Sequence, residues 1–426
     1  MIHHAQDVVH GSVQPSHDAF GLYIHIPFCE KKCPYCDFNT YAGLDATFGA
    51  MVEALCAEMA TWRTRVTDRT VTTIFVGGGT PTVLDAGLLG QLLQGIDRHF
   101  TVAADAEITC EANPGTVDRA KFGVLRDLGV NRLSLGVQSF QPDELRFLGR
   151  IHDVDDVYRA VDSARAVGFD NLNLDFIFGL PHQQAEQWHS TMEQAIGLDP
   201  EHLSLYSLIV EPNTPLNHWV DSGRVDAPDD DQAGLLYEMA MAALGGAGYL
   251  HYEVSNWAKR TPADEPRAAG THNVPALACR HNLIYWRNQE YLGIGPGAHS
   301  HLRVAAHDQA ETVIEQRWAN RKPVAGYINR LRQGLSVEEF SETLPSDLSM
   351  GETMMLGLRL LDEGVEFERF RRRHQADLRH VYGPQLQRFV AQQLLTADDI
   401  GVRLTRQGLM VGNQVFMEFL PDTPVD

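Results

Sequence analysis

The chain has 426 residues, 44% apolar and 21% charged, with 35 Lys plus Arg against 56 Asp plus Glu for a net charge of −21. These values exclude a fibrous or mostly disordered chain and suggest two or three domains. So acidic a surface repels a nucleic-acid backbone, and no apolar run approaches the roughly 18 residues needed to span a bilayer. Residues 1–20 lack both a basic and an apolar segment, so they are expected to be a tail and not an export signal, which places the chain in the cytoplasm.

From residue 21 to about 250, strand-like and helix-like segments alternate. The strand candidates are GLYIHI (from Gly21), VTTIFVGG (from Val71), EITCEAN (from Glu107), RLSLGVQS (from Arg132), NLNLDFIFG (from Asn171) and HLSLYSLIVE (from His202). Phe48, Met51, Val52, Leu55, Met59 and Trp62 share one face at helical spacing in the first intervening helix. Repeated β-then-α units require a parallel sheet, either doubly wound or most of a (β/α) barrel. Both architectures put their chemistry at the C-terminal strand ends. The polar motifs fall at five such ends, which favours a barrel with one central cavity.

A second region, 251–335, is expected to extend the barrel. It contains HYEVSNWA as a further strand, a mobile loop over 259–278 rich in Pro, Ala, Gly and charge, and then HNLIYW and YLGIGPGAHS. Residues 336–426 are expected to form a separate winged-helix-like α+β domain. Helices are expected near 351–361, 366–375 and 377–395, followed by strands GVRLT and GLMVGNQVFMEFL. Arg369, Arg371, Arg372 and Arg373 read as a solvated basic helix face.

Cys29-x3-Cys33-x2-Cys36 carries the strongest chemical signal. Three thiolates on one loop can hold three corners of an iron–sulfur cubane and leave the fourth iron open. The same residues can serve a structural zinc ion, for which His25 is the nearest fourth ligand, though a strand beside Cys29 places it poorly. Cys56 and Cys110 fall inside a helix and a strand and read as core.

YIHIPFCEKKCPYCDF resembles the cluster loop of radical S-adenosylmethionine (SAM) proteins of the oxygen-independent coproporphyrinogen-oxidase-like branch. GGGTPT, EANPGT, NRLSLGVQSF, LGRIH, NLDFIFGLP, YEVSN, HNLIYW and GIGPGAHS continue the likeness over nearly the whole chain. The resemblance implies an incomplete (β/α)6 barrel with a 4Fe–4S cluster at its mouth. There the open iron chelates the amino and carboxylate groups of SAM, and an electron breaks the sulfonium bond to give a 5′-deoxyadenosyl radical. It also implies that Gly77, Gly78, Gly79 and Thr80 meet the methionyl group, with Tyr23 packed nearby. Glu111 pairs with an ammonium, and Gln138, Arg150 and Asp175 contact one or two SAM molecules.

Within that branch the likeness is to the heme chaperones (HemW-type). Phe38, counted with the cofactor-binding positions, stands where the oxidases carry a further Cys. Only 28 residues precede Cys29, and HNLIYW matches the chaperones' HNxxYW motif. His281 is then the candidate heme contact, with Tyr285 and Trp286 as flat apolar surface for a porphyrin and Cys279 as a second possible ligand. The expected partners are heme, acceptor hemoproteins (membrane-associated ones included) and an electron donor, without nucleic acid. Whether the chain turns over a substrate is left open, with coproporphyrinogen oxidation as the alternative.

Overall fold

Strand β1 (Phe20–Ile26) is apolar at nearly every position and almost wholly buried, the pattern of a strand covered on both faces. Its parallel neighbours follow in chain order: β2 (Thr70–Gly78), β3 (Thr101–Ala112), β4 (Arg132–Gln138), β5 (Leu172–Phe178) and β6 (His202–Ser207). The computed structural model describes residues 19–264, 274–306 and 309–421. The tail expected at 1–20 lies almost wholly outside these residues, as does the middle of the loop expected at 259–278.

Helices cross back between the strands. Phe48–Trp62 buries Met51, Val52, Leu55, Met59 and Trp62, the face read from spacing. Side-chain caps start several others: Asp85 accepts from Leu88 N, Asp118 from Lys121 N, and Asp153 with Asp156 forms a reciprocal box.

The sheet grows beyond six strands. β7 (Tyr249–Glu253) and β8 (Asn256–Lys259) form a hairpin whose β8 pairs antiparallel with β6, so YEVSN is a turn between two strands. On the other side β9 (Glu290–Ile294) pairs parallel with β1. The antiparallel strands β10 (His299–Ala306), β11 (Gln309–Asn320) and β12 (Glu338–Thr343) follow. The hydrogen-bonded order runs from β12 through β9, β1 and β6 to β7. The barrel is therefore open, as the incomplete (β/α)6 expectation requires.

The boundary expected at 335/336 is displaced, because β12 belongs to the large sheet. A second apolar core begins with helix Ser346–Gly357 and gathers Met354, Phe370, Leu378, Val402, Val415 and Phe419. It holds a small antiparallel sheet of Val365–Glu366, Gly401–Leu404 and Leu395–Ala397. GLMVGNQVFMEFL is not a strand. It forms helices Arg406–Met410 and Gly412–Met417, since Gly408, Gly412, Val415, Phe416 and Phe419 bury at helical intervals. Three of the four arginines of the basic helix are paired: Arg369 with Glu363, Arg371 with Glu368 at 2.7 Å and Arg373 with Glu315 at 3.0 Å. Among the described residues, no helix is long and apolar enough to cross a membrane.

Candidate functional site

The loop after β1 is closed at its base. Tyr41 N donates to Pro27 O at 2.8 Å and Cys29 N to Tyr41 O at 3.0 Å, while Cys36 N donates to Cys33 O at 3.2 Å. Each cysteine sulfur has polar neighbours. Thr80 Oγ1 lies 3.7 Å from Cys29 Sγ, Arg150 Nη1 lies 3.5 Å from Cys33 Sγ, and Thr40 Oγ1 lies 4.0 Å from Cys36 Sγ. Burial raises the Cys29 and Cys36 thiols above their ordinary range, and Cys33 beside them adds to the rise. His25 is turned to other work: Nδ1 meets the Tyr23 hydroxyl at 2.9 Å and Nε2 meets Asn39 O at 3.0 Å. Among the described residues, no three His, Cys, Asp or Glu side chains are placed to hold a single metal ion.

The end of β2 is packed too tightly for side chains. Gly78 has φ +106, and a Cβ there would sit 2.4 Å from the His25 ring; one on Gly79 would sit 2.4 Å from Phe28 O. Gly79 N and Thr80 N donate to Ile26 O and Phe28 O, so this turn and the cysteine loop share one backbone platform. Gly77 is packed against Glu111 and Phe75 and lies behind the turn.

Two carboxylates rise from β3 and β5. Glu111 Oε2 accepts from Gly78 N at 2.9 Å. Burial pushes its carboxyl up to about 8, with Asp175 adding to the rise. Asp175 accepts from Ser134 Oγ and Asn173 Nδ2, each at 2.8 Å, and burial raises it as well. Gln138 ends β4 at φ +70, a left-handed conformation that costs a non-glycine residue energy. Arg150 Nη2 donates to Gly136 O at 2.9 Å. Its Nε is buried without a partner.

These groups enclose one cavity of about 410 Å³, lined by Cys29, Cys33, Cys36, Gly78, Gly79, Thr80, Glu111, Gln138, Arg150 and Asp175. Its volume is within the range of small-molecule sites. The sequence reading missed the supports beneath it. His152, in LGRIH, bridges Asn113 Oδ1 at 3.0 Å and Val137 O at 3.1 Å. Tyr206 lines the wall beyond Asp175. Asn173 and Asp175 alternate with leucine and phenylalanine along β5, and that period-two polar series was the available signal.

The Radical SAM superfamily model matches residues 23–195, and the HemN C-terminal domain model matches residues 349–411. Heme chaperone HemW of Bacillus subtilis is 36% identical over 399 residues, covering 93% of this chain and 98% of that protein. HemW of Escherichia coli is 37% identical over 404 residues, covering 94% and 98%. The chain belongs to the HemW family of radical SAM proteins. A solved structure of coproporphyrinogen III oxidase (HemN) from Escherichia coli matches with a TM-score of 0.77 at 22% identity, covering 95% of this chain and 91% of that one, and so shares its fold.

Of three further residues expected at the cofactors, Phe38 lines the cavity, Tyr23 is packed near Glu111, and His281 is absent from the cavity wall of this HemW-family chain. Phe38 is 63% exposed and forms part of the cavity rim. Tyr23 lies behind Glu111, its hydroxyl on His25. His281 is not brought to the cavity. HNLIYW lies in a helix, Arg280–Trp286. It packs at the start of β1, where Gly21 faces His281 and Ile284, the end remote from the cysteine loop. His281 is buried with Nδ1 on Thr73 Oγ1 at 2.8 Å and Nε2 on the Tyr285 hydroxyl at 2.9 Å. Cys279 is buried against Glu107. Trp286 carries the Arg359 guanidinium on its ring at 4.3 Å.

Proposed function

We propose that this chain is a heme chaperone that holds one 4Fe–4S cluster on Cys29, Cys33 and Cys36, binds SAM in the adjoining cavity and passes heme to acceptor hemoproteins. The observation that carries the reading is the convergence of two buried carboxyl groups on the cavity that the three cysteines line. Glu111 and Asp175 line one cavity with the three thiols; Glu111 holds no ion pair among the described residues, and Arg132 acts on Asp175 only through space. A buried carboxylate without a cation is unfavourable, so the site favours a ligand that brings positive charge. SAM brings two such charges, a sulfonium and an ammonium.

The remaining groups suit the rest of that ligand. Gly78 and Gly79 offer backbone with no Cβ in the way, and Thr80 offers a hydroxyl. Gln138 and the Arg150 guanidinium, both on the cavity wall, offer donors to a carboxylate or ribose. Arg150 Nη1 beside Cys33 Sγ also sets a cation next to one cluster ligand. When bound, the cluster supplies a vacant iron for the amino-acid end of SAM and one electron for its sulfonium.

The heme part of the reading is supported by the relatives, which are named heme chaperones. His281 enters it with a condition. Burial holds its imidazole near 3, so it is neutral at physiological pH, the form that ligates iron. Its Nε2 must first release the Tyr285 hydroxyl. An electron donor and apo-hemoproteins are the partners this cycle needs.

The test is direct. Reconstituted chain incubated with coproporphyrinogen III, SAM and a reductant is expected to yield no protoporphyrinogen, and heme-loaded chain is expected to deliver heme to an apo-hemoprotein. Robust protoporphyrinogen formation overturns the chaperone reading in favour of an oxidase.

A further inference from the structure

Three residues after Cys36, Asn39 sits where three segments meet. Its Nδ2 donates to Pro296 O at 2.8 Å and to Lys322 O at 3.0 Å. Its Oδ1 accepts from the Tyr41 hydroxyl at 3.0 Å, and its backbone O meets His25 Nε2 at 3.0 Å. Pro296 belongs to the GIGPGAH turn after β9, and Lys322 follows β11. Gly297 N donates to Arg321 O at 3.1 Å, so both carbonyls belong to one bonded pair of turns. The turn is shaped for this approach. Gly297 has φ +77, and its Cβ would lie 2.9 Å from Asn39 Nδ2; Gly295 has φ +112, and its Cβ would lie 2.5 Å from His25 O.

A buried carboxyl grips the same two segments from the other side. Glu58, in helix Phe48–Trp62, is 2% exposed. Its Oε2 accepts from Gly295 N at 2.9 Å and from the Tyr327 hydroxyl, and its Oε1 accepts from Asn320 Nδ2 at 2.6 Å. Asn320 Nδ2 also donates to Gly295 O at 3.0 Å. Among the described residues, no ion pair joins Glu58 to a cation. Burying such a group is costly unless its hydrogen bonds are made. Here they fasten the β9 turn and the end of β11 to one helix. Neither Asn39 nor Glu58 lines the cavity.

We propose that Asn39 and Glu58 are positioning residues for the cluster ligands. Together they make the β9 turn and the segment after β11 a rigid backing that fixes the cysteine loop at its exit. The Cys29–Tyr41 backbone pair fixes only its base. Three sulfurs on one cube tolerate displacements of about half an ångström, so both ends of the loop need fixing. This inference rests on the reading that Cys29, Cys33 and Cys36 hold a cluster.

The test uses the full chain, reconstituted anaerobically. Iron release to a ferrous chelator and the paramagnetic line shape of the reduced cluster are compared between the parent and Asn39→Ala. The expected result is release about tenfold faster, the size of effect that groups supporting metal ligands exert, with an altered line shape. The melting temperature of the cluster-free chain is expected to stay within about 1 °C of the parent. Glu58→Leu is expected to reproduce the faster release, and Glu58→Gln, which keeps an acceptor of the same shape, to restore it toward the parent. Parent-like release and line shape in Asn39→Ala overturn the proposal. So does faster release that merely tracks a fall in the cluster-free melting temperature. A parent that takes up no iron refutes the underlying cluster reading instead, and that outcome is read from the parent alone.

Discussion

Glu111 couples the cavity to pH. Burial and Asp175 lift its carboxyl to about 8, so near neutrality the free site holds a proton there. A bound cation favours the carboxylate and lowers that value, so cation binding releases the proton. Affinity for SAM is therefore expected to rise with pH between about 6 and 8, by at most about tenfold per unit, and to level off above. Calorimetry on reconstituted chain checks this, with Glu111→Gln as the comparison because SAM's own amine also titrates. An equal slope in both proteins removes Glu111 from the site. Glu111, Gln138, Arg150 and Asp175 were legible because the motifs that carry them, EANPGT, NRLSLGVQSF, LGRIH and NLDFIFGLP, resemble those of a known family. Asn113, Ser134 and His152 were not, because their value lies in partners distant in sequence: His152 joins Asn113 and Val137, and Ser134 meets Asp175.

Helix Arg280–Trp286 shows what local pattern reading cannot see. HNLIYW has too few residues to display a helical period, and its aromatic and branched side chains favour strands. What makes it a helix is a tertiary cap: Glu107 on β3 accepts from Arg280 N and His281 N, each at 2.9 Å. Glu107→Ala strands both donors in a buried setting. It is expected to cost roughly 3 kcal/mol, read as a lowered urea midpoint at unchanged slope. An unchanged midpoint means that the apolar side of the helix suffices to hold it. The 408–420 segment, expected as a strand, holds helical spacing in Gly408, Gly412, Val415, Phe416 and Phe419. All of β1 to β6 were legible as strands, because apolar-rich runs closed by Gly, Asn or Asp leave little ambiguity, but β3 begins at Thr101, six residues before its expected start, and β6 ends at Ser207, short of its expected end.

Buried ionisable groups set the pH window of the folded chain. Burial, first among causes, holds His281 near 3 and His152 and His251 near 4, against an ordinary 6.5. Below about pH 6.5 the unfolded chain binds protons that the folded chain refuses, so stability falls as pH drops toward 4. Glu58 and Glu111 work in the other direction. Burial lifts them to about 7 and about 8 from 4.5, so the folded chain keeps protons that the unfolded chain has lost, and stability falls as pH rises toward 8. The cluster-free chain is expected to be most stable near pH 6, with lower urea midpoints at about pH 4.5 and pH 8.5. A midpoint that changes in one direction only across that range contradicts this assignment of charges.

The open barrel gathers three thiols from one loop and two buried carboxyl groups from β3 and β5 around a cavity, and the cluster and SAM proposals follow from that convergence. Low-temperature paramagnetic resonance of anaerobically reconstituted, reduced chain, recorded with and without SAM, tests it at the source. The expected result is about four irons per chain and a signal that changes shape when SAM is added and vanishes in Cys33→Ala. A chain that takes up no iron, or a signal indifferent to SAM, contradicts it.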